Sequence, residues 1–238
     1  MKSIERPPVR IRQIEGTPPQ FIDDELARLA TTYASVFAGE PWREVSRCED
    51  GFSPEPAGSR CEQCGEVRAD AYPLKQQTET ITGELARPNA TCFVLEDEQD
   101  ETFVGFSWGF CYAGVDEFIE QKYAGASTRY EQLRSDVRRV LGCYGIGAER
   151  FYYLSETGII DDSRYRGRGI SKEFVRRRVE VATGLGLDIV QRTSSESPMY
   201  RTMQSAGFTQ AMGAKIGEPD LVNQERVLFV KKAEVDSK

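Results

Sequence analysis

Apolar and polar residues follow two different periods along the chain, and each period predicts one kind of element. Apolar and basic or polar side chains alternate between residues 9 and 14, which is typical of a half-buried strand. From residue 19 to residue 37, apolar side chains recur at helical spacing. The same patterns predict helices at 74–85, 116–141 (two helices, with a break at 124–126), 171–184 and 197–207, and strands at 91–95, 103–111, 151–160, 188–192 and 227–230.

Two stretches interrupt this regular succession. Residues 38–72 lose periodicity and gather glycine, proline, cysteine and charge, so they are predicted to form an insertion or a small subdomain. Residues 112–145 are predicted to form a second, helical insertion. A length of 238 residues suits one large domain, so we expect residues 1–238 to form a single domain that carries both insertions.

The composition narrows the classes of partner. A formal charge of −7 argues against a broad basic surface for nucleic acid, and it suits a cationic or amine substrate. Hydrophobic residues make up 39% of the chain, and no apolar run approaches the roughly 18 residues of a membrane span, so no membrane partner is expected. Residues 1–20 combine arginines and prolines without an apolar segment, which argues against a secretory signal. We therefore expect a cytoplasmic protein.

Histidine is absent from the chain. This excludes histidine-based triads, histidine metal ligands and a histidine general base. Acid–base chemistry must then use carboxylates, Tyr, Cys, Lys, water or the substrate itself. The acidic run at residues 96–101 is predicted to be a solvated hairpin tip.

A loop with two glycines lies between the strand at 151–160 and the helix at 171–184. Residues 164–169 read Arg-Tyr-Arg-Gly-Arg-Gly. Glycines just before a helix allow several backbone N–H groups to face one point, and the helix N-terminus adds partial positive charge. The loop is predicted to bind an anion, and an Arg/Gly-rich surface turn is the alternative.

The loop has the form (Gln or Arg)-x-x-Gly-x-(Gly or Ala), with Arg164, Gly167 and Gly169 at the defined positions. This form resembles the acetyl-CoA pyrophosphate loop of the GNAT acetyltransferase superfamily. The order of predicted elements is similar to that family, and residues 197–208 resemble its short helix that ends in Gly-Phe. The resemblance implies an α/β fold, in which a mixed, splayed β-sheet is flanked by helices and carries a cysteine-containing insertion.

The resemblance also implies acetyl-CoA as the co-substrate. The pantetheine arm would pair with backbone of the strand that ends near residue 160, and the pyrophosphate would lie on the amides of residues 166–171. Arg178 would then either reach the ribose phosphate or lie on the surface. The implied binding residues are Gly158, Ile159, Ile160, Arg164, Arg166, Gly167, Arg168, Gly169, Ile170 and Ser171.

The chemistry of this family is direct transfer of an acetyl or short acyl group to an amine. Glu156 matches the position of a carboxylate that takes the amine proton, directly or through water; a polar residue on the solvated side of the strand is the alternative. Met203 occupies the position at which the family often has a tyrosine that protonates the leaving thiolate. Tyr200, one helical turn earlier, either replaces that tyrosine or packs in the core. A catalytically silent CoA-binding module is therefore a second reading.

Three cysteines fall within the insertion at 38–72. Cys48 is followed by the pair Cys61 and Cys64 in a Cys-x-x-Cys-Gly sequence, a spacing that suits a zinc site on a tight turn. The fourth ligand is open among Cys92, Glu44, Asp50 and water. Free thiols and a redox pair are alternatives, and a zinc-bearing interaction protein is a third reading of the chain. Cys111 and Cys143 are predicted to be small core residues.

The amine acceptor is expected to be a small molecule or a peptide, and a homodimer stays open. In the family, the acceptor pocket is shaped by the region between the first and second helices, which here is the insertion at 38–72, and we expect this insertion and the helical one to define the substrate together. Six aromatic residues of the chain either line this pocket or belong to the core. They are Trp42, Tyr72, Trp108, Phe110, Tyr112 and Tyr123.

Overall fold

The structure is a computed structural model, and it describes residues 7–14, 23–122, 128–215 and 226–233. These residues form six helices and ten strands. In chain order they are β1 (Val9–Ile14), α1 (Asp23–Ala38), β2 (Ser46–Cys48), β3 (Gly51–Ser53), β4 (Ala69–Asp70), α2 (Leu74–Leu85), β5 (Thr91–Asp97), β6 (Phe103–Tyr112), α3 (Val115–Lys122), α4 (Thr128–Cys143), β7 (Phe151–Ile159), α5 (Ile170–Gly184), β8 (Ile189–Ser194), α6 (Pro198–Ser205), β9 (Thr209–Lys215) and β10 (Arg226–Lys231).

Seven of the strands form a mixed sheet in the order β1-β5-β6-β7-β8-β10-β9. Strand β1 pairs antiparallel with β5, and β10 pairs antiparallel with both β8 and β9. Strands β7 and β8 are parallel. The expected α/β class with a mixed sheet and helices is confirmed, and β2, β3 and β4 form a separate small sheet inside the insertion at 38–72.

The described residues divide into two compact units, and each has its own buried core. Leu29, Ile81, Val94 and Phe106 are fully buried in the first unit. In the second unit, Tyr152, Leu154 and Phe229 belong to one buried cluster. The single domain expected over residues 1–238 stays a prediction. The first unit contains residues 7–14, 23–108 and 156–174, and the second contains residues 109–122, 128–155, 175–215 and 226–233.

Hydrophobic periodicity located most helices well. Helix α2 has the predicted bounds, and its buried residues Gln77, Ile81 and Leu85 lie at helical spacing. Helices α3 and α4 confirm two helices in the stretch 116–141. The predicted break at 124–126 and the predicted start of α1 at residue 19 lie outside the described residues.

Two expectations about exposure are wrong. Arg178 is 0% exposed, so it is not a surface arginine. It lies three residues after Val175 and four before Ala182, which are also fully buried, and therefore shares the inward face of α5. Cys143, the last residue of α4, is exposed, whereas Cys111 is buried as expected.

The acidic run at 96–101 is only partly a solvated tip. Strand β5 continues to Asp97, two residues further than predicted, and this places Glu96 and Asp97 in the strand. They are 6% and 1% exposed, and Glu96 forms an ion pair of 2.8 Å with Arg10 on the neighbouring strand β1. Residues 98–101 are exposed as predicted.

Candidate active site

The loop between β7 and α5 has the backbone that the sequence predicts. Gly167 and Gly169 have φ angles of +73° and +77°, in the left-handed region that side chains rarely adopt. A Cβ atom on either glycine would have no neighbour within 4 Å. The glycines are therefore required by the turn itself, and the space in front of the loop is open.

The backbone N–H groups of the loop fall into two sets: those of residues 164–166, including the predicted donor Arg166, donate to Asp162, whereas those that follow are open. Within the described ranges, the amides of residues 167–171 donate to no protein acceptor; the first amides of α5 that do are those of Lys172 and Glu173, which donate to the Gly169 carbonyl. Helix α5 is 15 residues long, so its N-terminus carries the partial positive charge of a helix end. Unpartnered amides at a helix N-terminus form a set of donors for an anion.

The three arginines of the loop are held by acceptors of the first unit. Arg164 pairs with Asp162 at 2.7 Å, and this contact holds the pKa of the Asp162 carboxyl below its usual value. Arg166 pairs with Asp161 at 2.8 Å, and Arg168 donates to the Pro7 carbonyl at 2.8 Å. The two carboxylates offset part of the positive charge of the loop. Contact of these arginines with a phosphate stays a prediction.

A buried hydrogen bond fixes the start of the loop. The Tyr165 hydroxyl donates to Asp97 Oδ2 at 2.5 Å, and the two residues are 2% and 1% exposed. This bond holds the pKa of Asp97 below its usual value, and burial together with Asp97 raises the pKa of Tyr165 to about 12. The pair joins the loop to strand β5. Sequence reasoning missed it because it placed Asp97 in a solvated tip.

Strand β7 supplies the second feature of the predicted co-substrate site. Its parallel register with β8 covers only Tyr152, Tyr153 and Leu154, although β7 continues to Ile159. The predicted pairing residues Gly158 and Ile159 lie in this later part. The next amide, that of Ile160, donates to the Val104 carbonyl at 3.0 Å and is already used by the protein. The register between β7 and β8 thus stops before the end of β7, as expected where two neighbouring strands of a splayed sheet diverge.

Gly158 also has a packing role. A Cβ atom there would lie 2.5 Å from Val36 Cγ1 and 2.9 Å from Phe106 Cζ, both closer than real contacts allow. Helix α1 therefore crosses β7 at a point where only glycine fits. This explains the residue type at position 158 without any ligand.

An aromatic cluster surrounds Tyr33 in the first unit. The Tyr33 ring centroid lies 4.4 Å from that of Phe37, 5.1 Å from Tyr72, 5.4 Å from Phe106 and 5.9 Å from Trp108. Rings at these separations pack as aromatic pairs. We call this group the Tyr33 cluster.

Carboxylates border the Tyr33 cluster. Glu44 is 3% exposed and accepts a hydrogen bond from the Tyr72 hydroxyl, and Glu84 Oε2 accepts from Trp108 Nε1 at 2.7 Å. Burial, followed by the nearby Glu156, Tyr72, Glu84 and Glu44, raises the pKa of Tyr33 well above its usual value. The buried rings of the cluster therefore lie beside three carboxyl groups, those of Glu44, Glu84 and Glu156.

Sequence reasoning found only part of this cluster. It named the members Tyr72 and Trp108, and also Trp42, which is not a member but packs on Phe37 with ring centroids 5.4 Å apart. It missed Tyr33 and Glu84 as site residues. For Glu84 a signal existed, because it lies three residues after Ile81 and next to Leu85, on the inward face of α2.

The other predicted pocket aromatics lie elsewhere. Phe110 and Tyr112 belong to the second unit, where their rings are 5.2 Å apart and pack on a buried group. Tyr123 lies outside the described residues. The buried rings of the second unit that pack against Phe110 or Tyr112 are those of Phe118, Phe151 and Tyr153.

The chain is similar to known proteins in its fold and not in its sequence. No known protein family matches the sequence, and no curated protein does. Among solved structures, a mosquito arylalkylamine N-acetyltransferase like 5b is 18% identical, with 93% of this chain and 99% of that chain covered and a TM-score of 0.55. The polyamine N-acetyltransferase of Drosophila melanogaster is 15% identical, covers 94% and 100%, and has a TM-score of 0.57. Arylalkylamine N-acetyltransferase 2 from Aedes aegypti is 13% identical, covers 95% and 99%, and has a TM-score of 0.54.

The chain has the GNAT fold. The resemblance inferred from the glycine loop and the order of elements is thereby confirmed at the level of the fold. In the described part of the chain, none of the helices combines the length and the apolar character that a membrane crossing requires.

Tyr200, the predicted acid of the GNAT mechanism, lies in α6 of the second unit. Its hydroxyl donates to Gln210 Oε1 at 2.6 Å, and its ring packs edge-on against Phe229 at 5.3 Å. Met203, at the usual tyrosine position, is fully buried. Tyr200 thus has a structural role in packing, and its role as an acid stays a prediction.

The predicted metal ligands come together in the first unit. Potential ligand atoms of Cys48, Cys61 and Cys64 lie within 4.8 Å of one another and of a carboxylate oxygen of Asp50. Of the candidates that the sequence left open for the fourth ligand, Asp50 is therefore the one that lies beside the three cysteines. Glu44 is instead bonded to Tyr72, and Cys92 is buried within β5.

Proposed function

We propose that the protein is an N-acetyltransferase that moves an acetyl or short acyl group from acetyl-CoA to an amine. The observation that carries this proposal is the row of unpartnered amides from Gly167 to Ser171 at the N-terminus of α5. A pyrophosphate supplies several oxygens that such amides bind, and the glycines leave the approach open. The GNAT fold supports the assignment, since the loop occupies the position in the order of elements that the family uses for CoA.

Acetyl-CoA would supply the activated thioester. The amides of residues 167–171 would hold its pyrophosphate, and the part of β7 beyond Leu154 would pair with its pantetheine arm. In the transfer, the amine nitrogen attacks the thioester carbonyl carbon, a C–N bond forms and the C–S bond breaks. The proton of the amine goes to Glu156, directly or through water, and the departing thiolate takes a proton from Tyr200 or from solvent.

The acceptor we infer is an amine that arrives as a cation. Glu44, Glu84 and Glu156 place negative charge around the rings of the Tyr33 cluster, and an ammonium group interacts favourably with both. The same carboxylates raise the pKa of a bound amine, so a base is needed to release its lone pair. Glu156 suits this role because it is the member of the set on the strand that leads to the CoA loop.

A second candidate is a CoA-binding module without catalysis. It is favoured by the replacement of the usual tyrosine by buried Met203 and by the engagement of the Tyr200 hydroxyl with Gln210. This candidate predicts that acetyl-CoA binds and that no amine is acetylated.

Calorimetric titration with acetyl-CoA tests the site. Gly169→Asp introduces a side chain and a negative charge in front of the loop amides, so we expect affinity to fall below detection. Gly186→Asp is the matched control, because Gly186 also has a positive φ (+66°) and a Cβ atom there would have no neighbour within 4 Å, but it follows the C-terminal end of α5. Equal affinity in the two variants would contradict the assignment of the loop.

Turnover on a panel of amines separates the two candidates. If Glu156 is the base, Glu156→Gln should lower kcat by about 10²- to 10⁴-fold, the usual contribution of a general base, with the Kd for acetyl-CoA unchanged. Glu98→Gln, at an exposed carboxylate, is the control. An unchanged kcat in Glu156→Gln removes Glu156 from the mechanism, and binding without turnover on every amine favours the silent module.

A further inference from the structure

Two tight turns of the insertion bring four metal-binding groups together. Cys48 ends β2 and Asp50 lies in the turn to β3, while Cys61 and Cys64 lie on the turn that Gly65 closes. Their ligand atoms lie within 4.8 Å of one another. In a tetrahedral zinc site with Zn–S bonds of about 2.3 Å, ligand atoms are separated by about 3.8 Å. The cluster is therefore close to the size that a metal ion requires.

The backbone of the second turn is arranged around sulfur. Cys61 Sγ accepts from the backbone N–H groups of Gln63 and Cys64, and Cys64 Sγ accepts from that of Glu66. The turn is closed by two further bonds, from Gly65 N–H to the Cys61 carbonyl at 2.9 Å and from Cys61 N–H to the Glu66 carbonyl at 2.8 Å. This closed turn holds the ligand atoms of Cys61 and Cys64 within 4.8 Å of each other.

Positive charge and a carboxylate complete the surroundings of the sulfurs. Arg68 Nη1 donates to Cys48 Sγ at 3.3 Å, and Asp50 Oδ2 lies 3.3 Å from Cys61 Sγ. A redox pair would need only Cys61 and Cys64, and it leaves the convergence of Cys48 and Asp50 without a reason. Three thiolates and one carboxylate form a closed, four-coordinate set of the kind that holds structural zinc.

The insertion needs such a link because it has almost no core of its own. Its strands β2, β3 and β4 contain three, three and two residues. Between residues 44 and 72, the buried apolar side chains are only those of Cys61 and Ala71. Segments that bury so little apolar surface are usually held by disulfides or metals, and the cysteines here are free thiols.

We propose that Cys48, Asp50, Cys61 and Cys64 bind one structural Zn²⁺ ion that holds the insertion against the Tyr33 cluster. The link between the two is short. Phe52 follows the Asp50 turn on β3, and its ring stacks on Tyr72 with centroids 5.6 Å apart. Tyr72 in turn packs on Tyr33, so the metal fixes the wall of the candidate acceptor site. This last consequence rests on the proposed function, whereas the metal content does not.

Metal analysis of the reduced, purified full-length protein is the test. We expect about one equivalent of zinc per chain, and none in Cys61→Ser. Asp50→Asn should weaken zinc binding by more than the roughly 10- to 100-fold that loss of an outer hydrogen-bonding partner causes. The matched controls are Cys143→Ser, at an exposed cysteine outside residues 38–72, and Glu49→Gln, at the exposed carboxylate next to Asp50. Both should retain full zinc content.

Cobalt replacement in the wild-type protein keeps the proposal testable if a variant fails to fold. After zinc is removed with a chelator, Co²⁺ should give the charge-transfer absorption of thiolate ligands and the visible bands of a tetrahedral site. Absence of zinc together with absence of these bands overturns the proposal. Equal loss of metal in Glu49→Gln and Asp50→Asn overturns the assignment of Asp50. If zinc is present but no amine is acetylated, the metal site stands and the proposed function fails.

Discussion

Gly158→Ala tests whether the glycine on β7 is required by packing or by the co-substrate. The added Cβ would lie 2.5 Å from Val36 Cγ1 and 2.9 Å from Phe106 Cζ. Carbon atoms pack favourably at about 3.5–4.0 Å, so α1 or β7 must move by roughly 1 Å to accept one methyl group. Overpacking of this kind typically lowers the free energy of unfolding by about 1–3 kcal/mol. We expect a loss in this range.

Urea denaturation of four variants measures this effect. Val36→Ala alone leaves a cavity and should lower stability by about 2 kcal/mol. In Gly158→Ala/Val36→Ala, the closest atom is removed while Phe106 Cζ at 2.9 Å and Val36 Cβ at 3.2 Å remain, so the two losses should sum to more than the loss in the double variant. A coupling of about 1 kcal/mol is expected. Gly83→Ala, at an exposed position of helix α2 with no atom near its Cβ, should instead stabilise the protein by about 0.5–1 kcal/mol.

Two results would refute the packing argument. The first is a stability of Gly158→Ala equal to or above that of Gly83→Ala, and the second is strict additivity with Val36→Ala. Acetyl-CoA binding adds a separate readout, since alanine keeps the backbone N–H and C=O of Gly158. If pantetheine pairs with the β7 backbone, the double variant should bind acetyl-CoA as the wild type does.

Three further predictions concern the loop anchor and the acceptor site. Tyr165→Phe removes the buried hydrogen bond to Asp97, so it should lower the free energy of unfolding, measured by urea denaturation, by about 1.5–3 kcal/mol and weaken acetyl-CoA binding. The control is Tyr144→Phe, because the Tyr144 hydroxyl donates to an exposed carbonyl; it should change neither quantity measurably. Because the folded pKa of Asp97 is lowered, its contribution to stability is present above its unfolded pKa of about 3.9 and is lost as the pH falls through the folded value; Asp97→Asn should remove this part of the acid dependence of Tm, and an unchanged profile would contradict it. Glu44→Gln should raise KM for a cationic amine about tenfold, equivalent to about 1.4 kcal/mol, with the Kd for acetyl-CoA unchanged; equal effects on both ligands would place Glu44 outside the acceptor site.

Elements with a strong local pattern were predictable from the sequence. Helix α2 shows this most clearly, because its inward residues Gln77, Ile81 and Leu85 repeat at helical spacing and nothing in the tertiary structure opposes that pattern. The inward Arg178 of α5 shows the limit of the method. Its charge argues for exposure, while its position between Val175 and Ala182 places it on the buried face, and position prevails.

The glycine loop was found because all of its information is local. Two glycines before a helix and a strand before them are visible within one stretch of sequence. The Tyr165–Asp97 bond joins residues 68 positions apart, and nothing near Asp97 marks it as a partner of that loop. Strand β5 extends two residues further than predicted, and Asp97 is therefore buried in the strand instead of exposed at a hairpin tip.

The insertion at 38–72 shows why carboxylates are harder to assign than cysteines. Cysteine spacing predicted three ligands, but Glu44 and Asp50 were equivalent candidates for the fourth. Turn geometry separates them: Cys48 pairs with Gly51 across a two-residue turn, so Asp50 is held beside the sulfur, while Glu44 lies before β2 and meets Tyr72. One short segment therefore supplies a carboxylate to each of two candidate sites, and the β2–β3 hairpin determines which carboxylate serves which site. Loss of the metal should consequently perturb amine binding through Tyr72 and Glu44 and leave the CoA loop unchanged.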